Sequence, residues 1–238
     1  HLETARRSVR AQTYTTRCYT VINNCSTERT PEIAAEWARK DPRIRVVHNT
    51  TFLDVVRSHN RAFQIASPES EYVKIVAADD WLFPNCLSEM VTLAEANPTV
   101  GMVTSYVLSG TRVVYDGQPY ADLPFAGTVV AGRAACRMRL LENLHVFGGS
   151  SASMLRTSVV KAFDNFYTVD CPHGDSEAYL RLLQSHDFGY VHQVLSFRRR
   201  GKDSPATHKL NTINTDIVSI VEELVRFGPV FLTPEEMQ

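Results

Sequence analysis

An apolar run, Tyr72-Val73-Lys74-Ile75-Val76-Ala77-Ala78, ends abruptly in the adjacent carboxylates of Asp79 and Asp80, and Pro84 follows where a helix can open. The run predicts a strand over Tyr72 to Val76, covered on both faces as in the middle of a parallel sheet. Open α/β sheets bind ligands outside the carboxyl ends of such strands. Adjacent carboxylates repel, and holding them together costs free energy unless a cation or a set of donors compensates. A hard divalent cation shared with a phosphate meets that need. A solvated acidic loop is the plain alternative.

The flanking sequence alternates strand and helix. Cys18 to Ile22 reads as a strand, Asn23 to Thr27 as a polar turn, and Thr30-Pro31-Glu32 as a helix start with its proline at the first position. Strand Ile44 to His48, helix Phe52 to Ile65, a helix after Pro84 and strand Val100 to Leu108 continue the pattern, which predicts βαβ units and a mostly parallel sheet. The alternation breaks from Ser109 to Thr128, where short β-prone pieces such as Arg112 to Tyr115 predict a loop or small hairpin. A helix is expected over Gly132 to Leu141, a small-residue turn at Phe147 to Ser151, and a second acidic turn, Pro172 to Glu177, opening a helix over Ser176 to Gln184. Phe188 to Phe197 reads as strand. Leu210, Ile213, Ile217, Ile220, Val221 and Leu224 form the apolar stripe of a closing helix, read as core or docking surface. The chain divides into 1–108, 109–204 and a C-terminal helix and tail, 205–238. Its start, at His1 in a helical pattern, reads as cut, with a strand expected upstream.

A length of 238 residues, 44% hydrophobic, allows one large α/β domain or two small ones, and a formal net charge of -1 gives no field for nucleic acid. Arg198-Arg199-Arg200 with Lys202 is either a solvated loop or a local anion site. Five cysteines without a CxxC pair argue against a disulfide framework or a structural zinc site and fit a reducing cytoplasm. No apolar run reaches the roughly 18 residues of a membrane span, so membrane contact is expected to be peripheral at most, at the inner face.

In order, Asn23-Asn24-Cys25-Ser26-Thr27-Glu28, Asn60, Asp79-Asp80 with Pro84, Gly148-Gly149 and Asp175 resemble the family 2 glycosyltransferases of GT-A fold, over roughly Leu2 to Ser204. That family carries a first turn like V-V-D-D-G-S-T-D, a second site like D-A-D-D followed by proline, and a later acid before a helix. Val46 to Asn49, Asp187 to Leu195 and Phe227-Gly228-Pro229 are similar to its bacterial polysaccharide-type branch. The resemblance implies an α/β GT-A fold with a small acceptor-side β/loop region. It also implies a nucleotide diphosphate-sugar donor, a saccharide or lipid-linked saccharide acceptor, Mn2+ or Mg2+, and inverting transfer in surface glycan assembly.

Such transfer must neutralise a departing diphosphate and deprotonate an acceptor hydroxyl. By resemblance Asp80 ligates the metal, Asp79 reaches the ribose, and Asn24 stands where the family contacts base or ribose. An amide there both donates and accepts. Asn60 lines the nucleotide pocket or is a helix-surface amide. Asp175 is the general base or an N-cap, with Glu177 in reserve and His173 beside it. Gly149 and Ser150 let backbone approach the acceptor, close beneath the diphosphate, or form a packing turn, and Arg198 to Lys202 clamp the diphosphate. Three positions depart from the family pattern: Ala77 stands for an acid, Asn23-Asn24 stand for paired acids, and the opening strand is not visible. These losses motivate a catalytically inactive nucleotide-sugar or glycan binding module as the alternative. A receiver-type phospho-acceptor domain would need a lone aspartate and a later lysine that are not arranged that way.

Overall fold

In the computed structural model, residues 1–114, 127–142, 147–169, 171, 173–199 and 215–238 are described. Pro172, Arg200, Lys202, Leu210, Ile213 and Tyr115, all named above, lie outside them. Two long strands, β5 (Val100–Ser109) and β9 (Asp187–Arg198), run parallel through the centre of a seven-stranded sheet. β5 is buried along most of its length and β9 supplies the fully enclosed Phe188, Tyr190 and Val191, as expected of apolar strands covered on both faces. Burying each such side chain contributes about 1.5–3 kcal/mol.

Around this pair the strand order is β3 (Tyr72–Val73), β8 (Met154–Arg156), β5, β9, β4 (Trp81–Leu82), with β6 (Arg112–Val114) on β5 and β7 (Thr128–Val130) on β9. A separate parallel pair, β1 (Tyr19–Asn23) and β2 (Ile44–His48), carries helix α2 (Thr30–Lys40) through Val21, Ala34, Trp37 and Ile44. Helix α1 (Leu2–Arg10) and α4 (Cys86–Ala96) add Val9, Cys86, Met90 and Ala94 to one side of the main sheet. The larger core joins α3 (Val55–Ile65), α5 (Gly132–Glu142), α6 (Thr157–Lys161), α7 (Gly174–Leu182) and α8 (Thr215–Phe231) through Phe63, Cys136, Val160, Tyr179 and Phe227.

The α/β architecture agrees with the sequence, while the strand directions are mixed. Only β1–β2 and β5–β9 are parallel among the described pairs; β3–β8, β4–β9, β5–β6, β5–β8 and β7–β9 are antiparallel. The short pieces between the main elements return alongside their neighbours, and periodicity carries no direction for a three-residue strand. The expected strand over Tyr72 to Val76 pairs only at Tyr72 and Val73, and the run is half-buried. Lys74 explains the early exit: its Nζ donates to the carbonyls of Ser151 and Ser153 (2.9 and 3.3 Å).

Helix α3 begins at Val55, not Phe52, because Asp54 caps it by accepting from Arg57 N (2.9 Å). Helix α7 starts at Gly174, earlier than the Ser176 expected. On α8 the buried positions are Ser219, Glu223, Phe227, Gly228 and Phe231, whereas Ile217 and Val221 of the expected stripe are exposed and Leu224 is half-buried. A polar residue takes the inner face because Glu223 pairs with the equally buried Arg139 of α5 (2.9 Å).

One corner allows no side chain. A Cβ on Gly132 would lie 2.0 Å from the His186 carbonyl oxygen and 2.3 Å from that of Leu183, and on Gly101 2.6 Å from His186 Cβ. Gly132→Ala is expected to cost about 1–3 kcal/mol or more by overpacking. That corresponds to several degrees in Tm by scanning calorimetry, at ~2–4 °C per kcal/mol for a chain of this size; an unchanged Tm would contradict the packing. After α8, Glu236 pairs with both terminal nitrogens of Arg137, which also bonds Phe231 O (2.8 Å). That guanidinium and the Thr233 N–H pull the Glu236 carboxyl from 4.5 to about 2. Its folded value is depressed, so its contribution is present above pH 4.5 and lost as pH falls toward 2. The stability gap between wild type and Glu236→Gln in urea melts should therefore close across that window.

Candidate active site

The first polar turn is built by its own side chains. Asn23, ending β1, accepts from Ser26 N (3.2 Å) and contacts His48 Nδ1 on the neighbouring strand (3.2 Å), while Cys25 takes the left-handed backbone with φ 58°. Asn24 Nδ2 donates to Leu53 O (2.7 Å), and its Oδ1 accepts from Asn49 Nδ2 (2.9 Å) and Leu53 N (3.0 Å). Both oxygen lone pairs are thereby engaged inside the protein. The residue expected to read a base edge fastens the turn to the loop before α3, and that loop brings Phe52 to the surface, 75% exposed.

The second turn closes with Asp80 N on Ala77 O (3.0 Å). Asp80 is only 5% exposed. β4 pairs Trp81 with Phe197, their rings stacked 3.6 Å apart, and this register carries the end of β9 past the turn. Arg199 N accordingly donates to Asp80 Oδ1 (3.0 Å), and the Ser151 hydroxyl accepts from Ala77 N (3.2 Å) in the same turn. Burial raises the Asp80 carboxyl above its ordinary 3.8, opposed by the Ser151 hydroxyl, the Arg199 hydrogen bond and Arg198, with Asp79 adding repulsion. Ser151 belongs to a tight turn in which Ala152 N and Ser153 N both reach Gly149 O (2.9 and 3.2 Å), entered through Gly148 at φ 67°.

A cavity of about 600 Å³ joins these pieces. Asn24, Asp80, Gly149, Ser150, Asp175 and Arg198 all line it, six of the residues singled out by sequence, drawn from segments far apart in the chain. Asp175 lies in the first turn of α7, whose N-cap position is taken by His173, and its Oδ1 accepts from Ser176 N (3.0 Å).

Four expected residues stand elsewhere. Asn60, 3% exposed, bonds the Tyr167 backbone through both ends of its amide (2.8 Å each). Glu177 is buried, accepts from Thr168 Oγ1 and pairs with Arg226 of α8 (2.9 Å). Asp79 is exposed beside the cavity, and His173 caps α7 without lining the wall. Periodicity cannot tell a buried structural amide or carboxylate from one facing a ligand.

Residues that sequence reasoning passed over include Phe52, Val55, His59 and Val107 in the wall. His59 was adjacent to Asn60 on a helix already placed, and Phe52 was assigned to that helix. Burial lowers the His59 imidazole below 6.5, partly offset by Asp175, so it is neutral near pH 7. A neutral ring both donates and accepts. Among the described residues no three His, Cys, Asp or Glu groups cluster as a metal cage. A hard cation held by one or two carboxylates and completed by substrate phosphates and water needs no such cage. The desolvated Asp80 carboxylate at the cavity wall fits that donor set.

The family model "Glycosyl transferase family 2" matches residues 2–163. This chain belongs to that family. It is 28% identical over 95 residues to EpsH of Bacillus subtilis (strain 168), named as a candidate glycosyltransferase, and 32% identical over 91 residues to the uncharacterized glycosyltransferase YibD of Escherichia coli (strain K12). The matches take in 40% and 38% of this chain and 26% of each relative, so it spans about a quarter of their length.

Among solved structures it is similar to S. aureus TarS 1-349 in complex with UDP-GlcNAc, with TM-score 0.72 and 14% identity over 95% of this chain and 63% of that one. It is also similar to the mannosyltransferase PcManGT of Pyrobaculum calidifontis in complex with GDP-Man and Mn2+, with TM-score 0.62 and 16% identity over 98% and 72%. The fold is the GT-A fold.

Because Asn24 satisfies three groups of the neighbouring loop, Asn24→Ala should destabilise the protein by about 1–3 kcal/mol through unpartnered amides. Urea unfolding monitored by tryptophan fluorescence measures this, and an unchanged midpoint would show that the turn does not depend on the clasp.

Proposed function

We propose that this chain transfers a sugar from a nucleotide diphosphate-sugar to a hydroxyl of a saccharide or lipid-linked saccharide, with inversion, in bacterial surface glycan assembly at the cytoplasmic side. The supporting observation is that Asp80 and Asp175, 95 positions apart, line one cavity with Arg198. Its volume lies within the ~300–1,000 Å³ of small-molecule sites. The 1–108 half supplies the donor side and the 109–204 half the acceptor side.

Asp80 would hold Mn2+ or Mg2+, which supplies charge neutralisation on the diphosphate. Arg198 adds a guanidinium suited to phosphate oxygens. Asp175 takes the acceptor proton as the hydroxyl oxygen bonds to the anomeric carbon. The bond from that carbon to the diphosphate oxygen breaks on the opposite face, and the electron pair leaves with the nucleoside diphosphate. Neutral His59, in the same wall, is placed to hydrogen-bond a sugar hydroxyl, and exposed Phe52 offers a flat apolar face at the rim. Since the Asn24 amide is engaged in its own loop, base recognition falls to other groups of that wall.

Asp175→Asn should lower turnover by roughly 10²–10⁴-fold, the usual worth of a positioned proton acceptor. Donor affinity, measured by calorimetry across UDP, GDP and TDP sugars with Mn2+, should stay the same. Full activity in that variant would remove the base from Asp175, and donor binding without any transfer by the wild type would favour the inactive binding module.

A further inference from the structure

Lys74 is the lone cation of the apolar run, and neither the metal nor the proton chemistry calls on it. A lysine is a costly residue to desolvate, and burial lowers its ammonium below the ordinary 10.5. Its partners indicate what it does there. The two carbonyls it holds, those of Ser151 and Ser153, lie on either side of Ala152 in the turn closed on Gly149 O. The same Ser151 turns its hydroxyl the other way, accepting from Ala77 N (3.2 Å), and the Ala77 carbonyl in turn accepts from Asp80 N (3.0 Å). Lys74 and Asp80 thus stand at the two ends of one run of chain, 74–80, and Ser151 is bonded to Lys74 and to Ala77, the residue that closes the turn on Asp80.

We infer that Lys74 is a positioning residue for the metal-binding carboxylate of Asp80, acting through Ser151; this rests on the proposed role of Asp80. Two supports orient that carboxylate. One is Arg199 N, delivered by the β4–β9 register, and the other is the turn that Ala77 closes on Asp80, which the Ser151 hydroxyl holds from the segment that Lys74 grips. A group one step removed from a metal ligand typically changes metal affinity by about 10–100-fold when lost.

The test is Mn2+ binding, read as free Mn2+ by electron paramagnetic resonance, in the presence of whichever of UDP, GDP or TDP the wild type binds most tightly. Lys74→Met should raise the Mn2+ Kd by about 10–100-fold and leave metal-free nucleotide affinity as it was. Ser151→Ala should act in the same direction, and the double variant should be no worse than the more damaging of the two single variants, since the two lie on one route. A folded Lys74→Met protein with unchanged Mn2+ Kd overturns the inference, as do effects that simply add. Should Lys74→Met fail to fold, unchanged Mn2+ affinity in Ser151→Ala overturns it instead. If wild type takes up no Mn2+ with any of the three nucleotides, the metal role of Asp80 itself is wrong and the positioning role falls with it.

Discussion

The distance between the two halves of the cavity is set by a buried chain of hydroxyls. Ser153 Oγ meets Tyr179 OH at 2.7 Å, Tyr179 OH meets Tyr167 OH at 3.1 Å, and the Tyr167 backbone is clasped by Asn60. Ser153 belongs to the turn behind Asp80, Tyr179 sits one helical turn past Asp175 on α7, and Asn60 is on α3. Hydroxyls this deep lose more by going unpaired than they gain by pairing, so the three elements hold a common spacing or none. Rings at the same place reinforce it: Phe63 meets Phe166 and Tyr167 edge to face.

Carboxylates around this frame divide by partner. Glu177 and Glu223 are buried against Arg226 and Arg139, which ties α8 to α7 and α5. Removing Arg226 or Arg139 is far more damaging than never having had the pair, because the glutamate left behind stays desolvated. Asp80 and Asp175 face the cavity, where Arg198 is the neighbouring cation. A wall of Ala77, Ala78, Val107 and Ala152 keeps the local dielectric low and strengthens each of these charges toward a ligand.

Much of this was legible in the residues. Strand β2 appears over the span its β-branched pattern gives, helix α2 starts at Thr30-Pro31, and six residues of the quoted motifs line one cavity. What was illegible has a common cause. Asn60 and Glu177 have the side chains a binding site needs, yet the backbone or an arginine satisfies them first, and no local pattern reports a backbone partner 107 positions away or an arginine on α8. Strand direction failed for the same reason: β8 inserts between β3 and β5 through pairings that a three-residue segment cannot announce. Lys74 was the opposite case, a visible anomaly in an apolar run whose meaning required the turn it holds.

The corner where Gly101 and Gly132 press on His186 lies outside the cavity wall, yet it constrains inheritance more tightly than the wall does. Cavity residues can change while the sheet stays intact. At position 132 even a methyl group collides with two main-chain oxygens, so descendants of this sequence can diversify in what they recognise long before they can vary there.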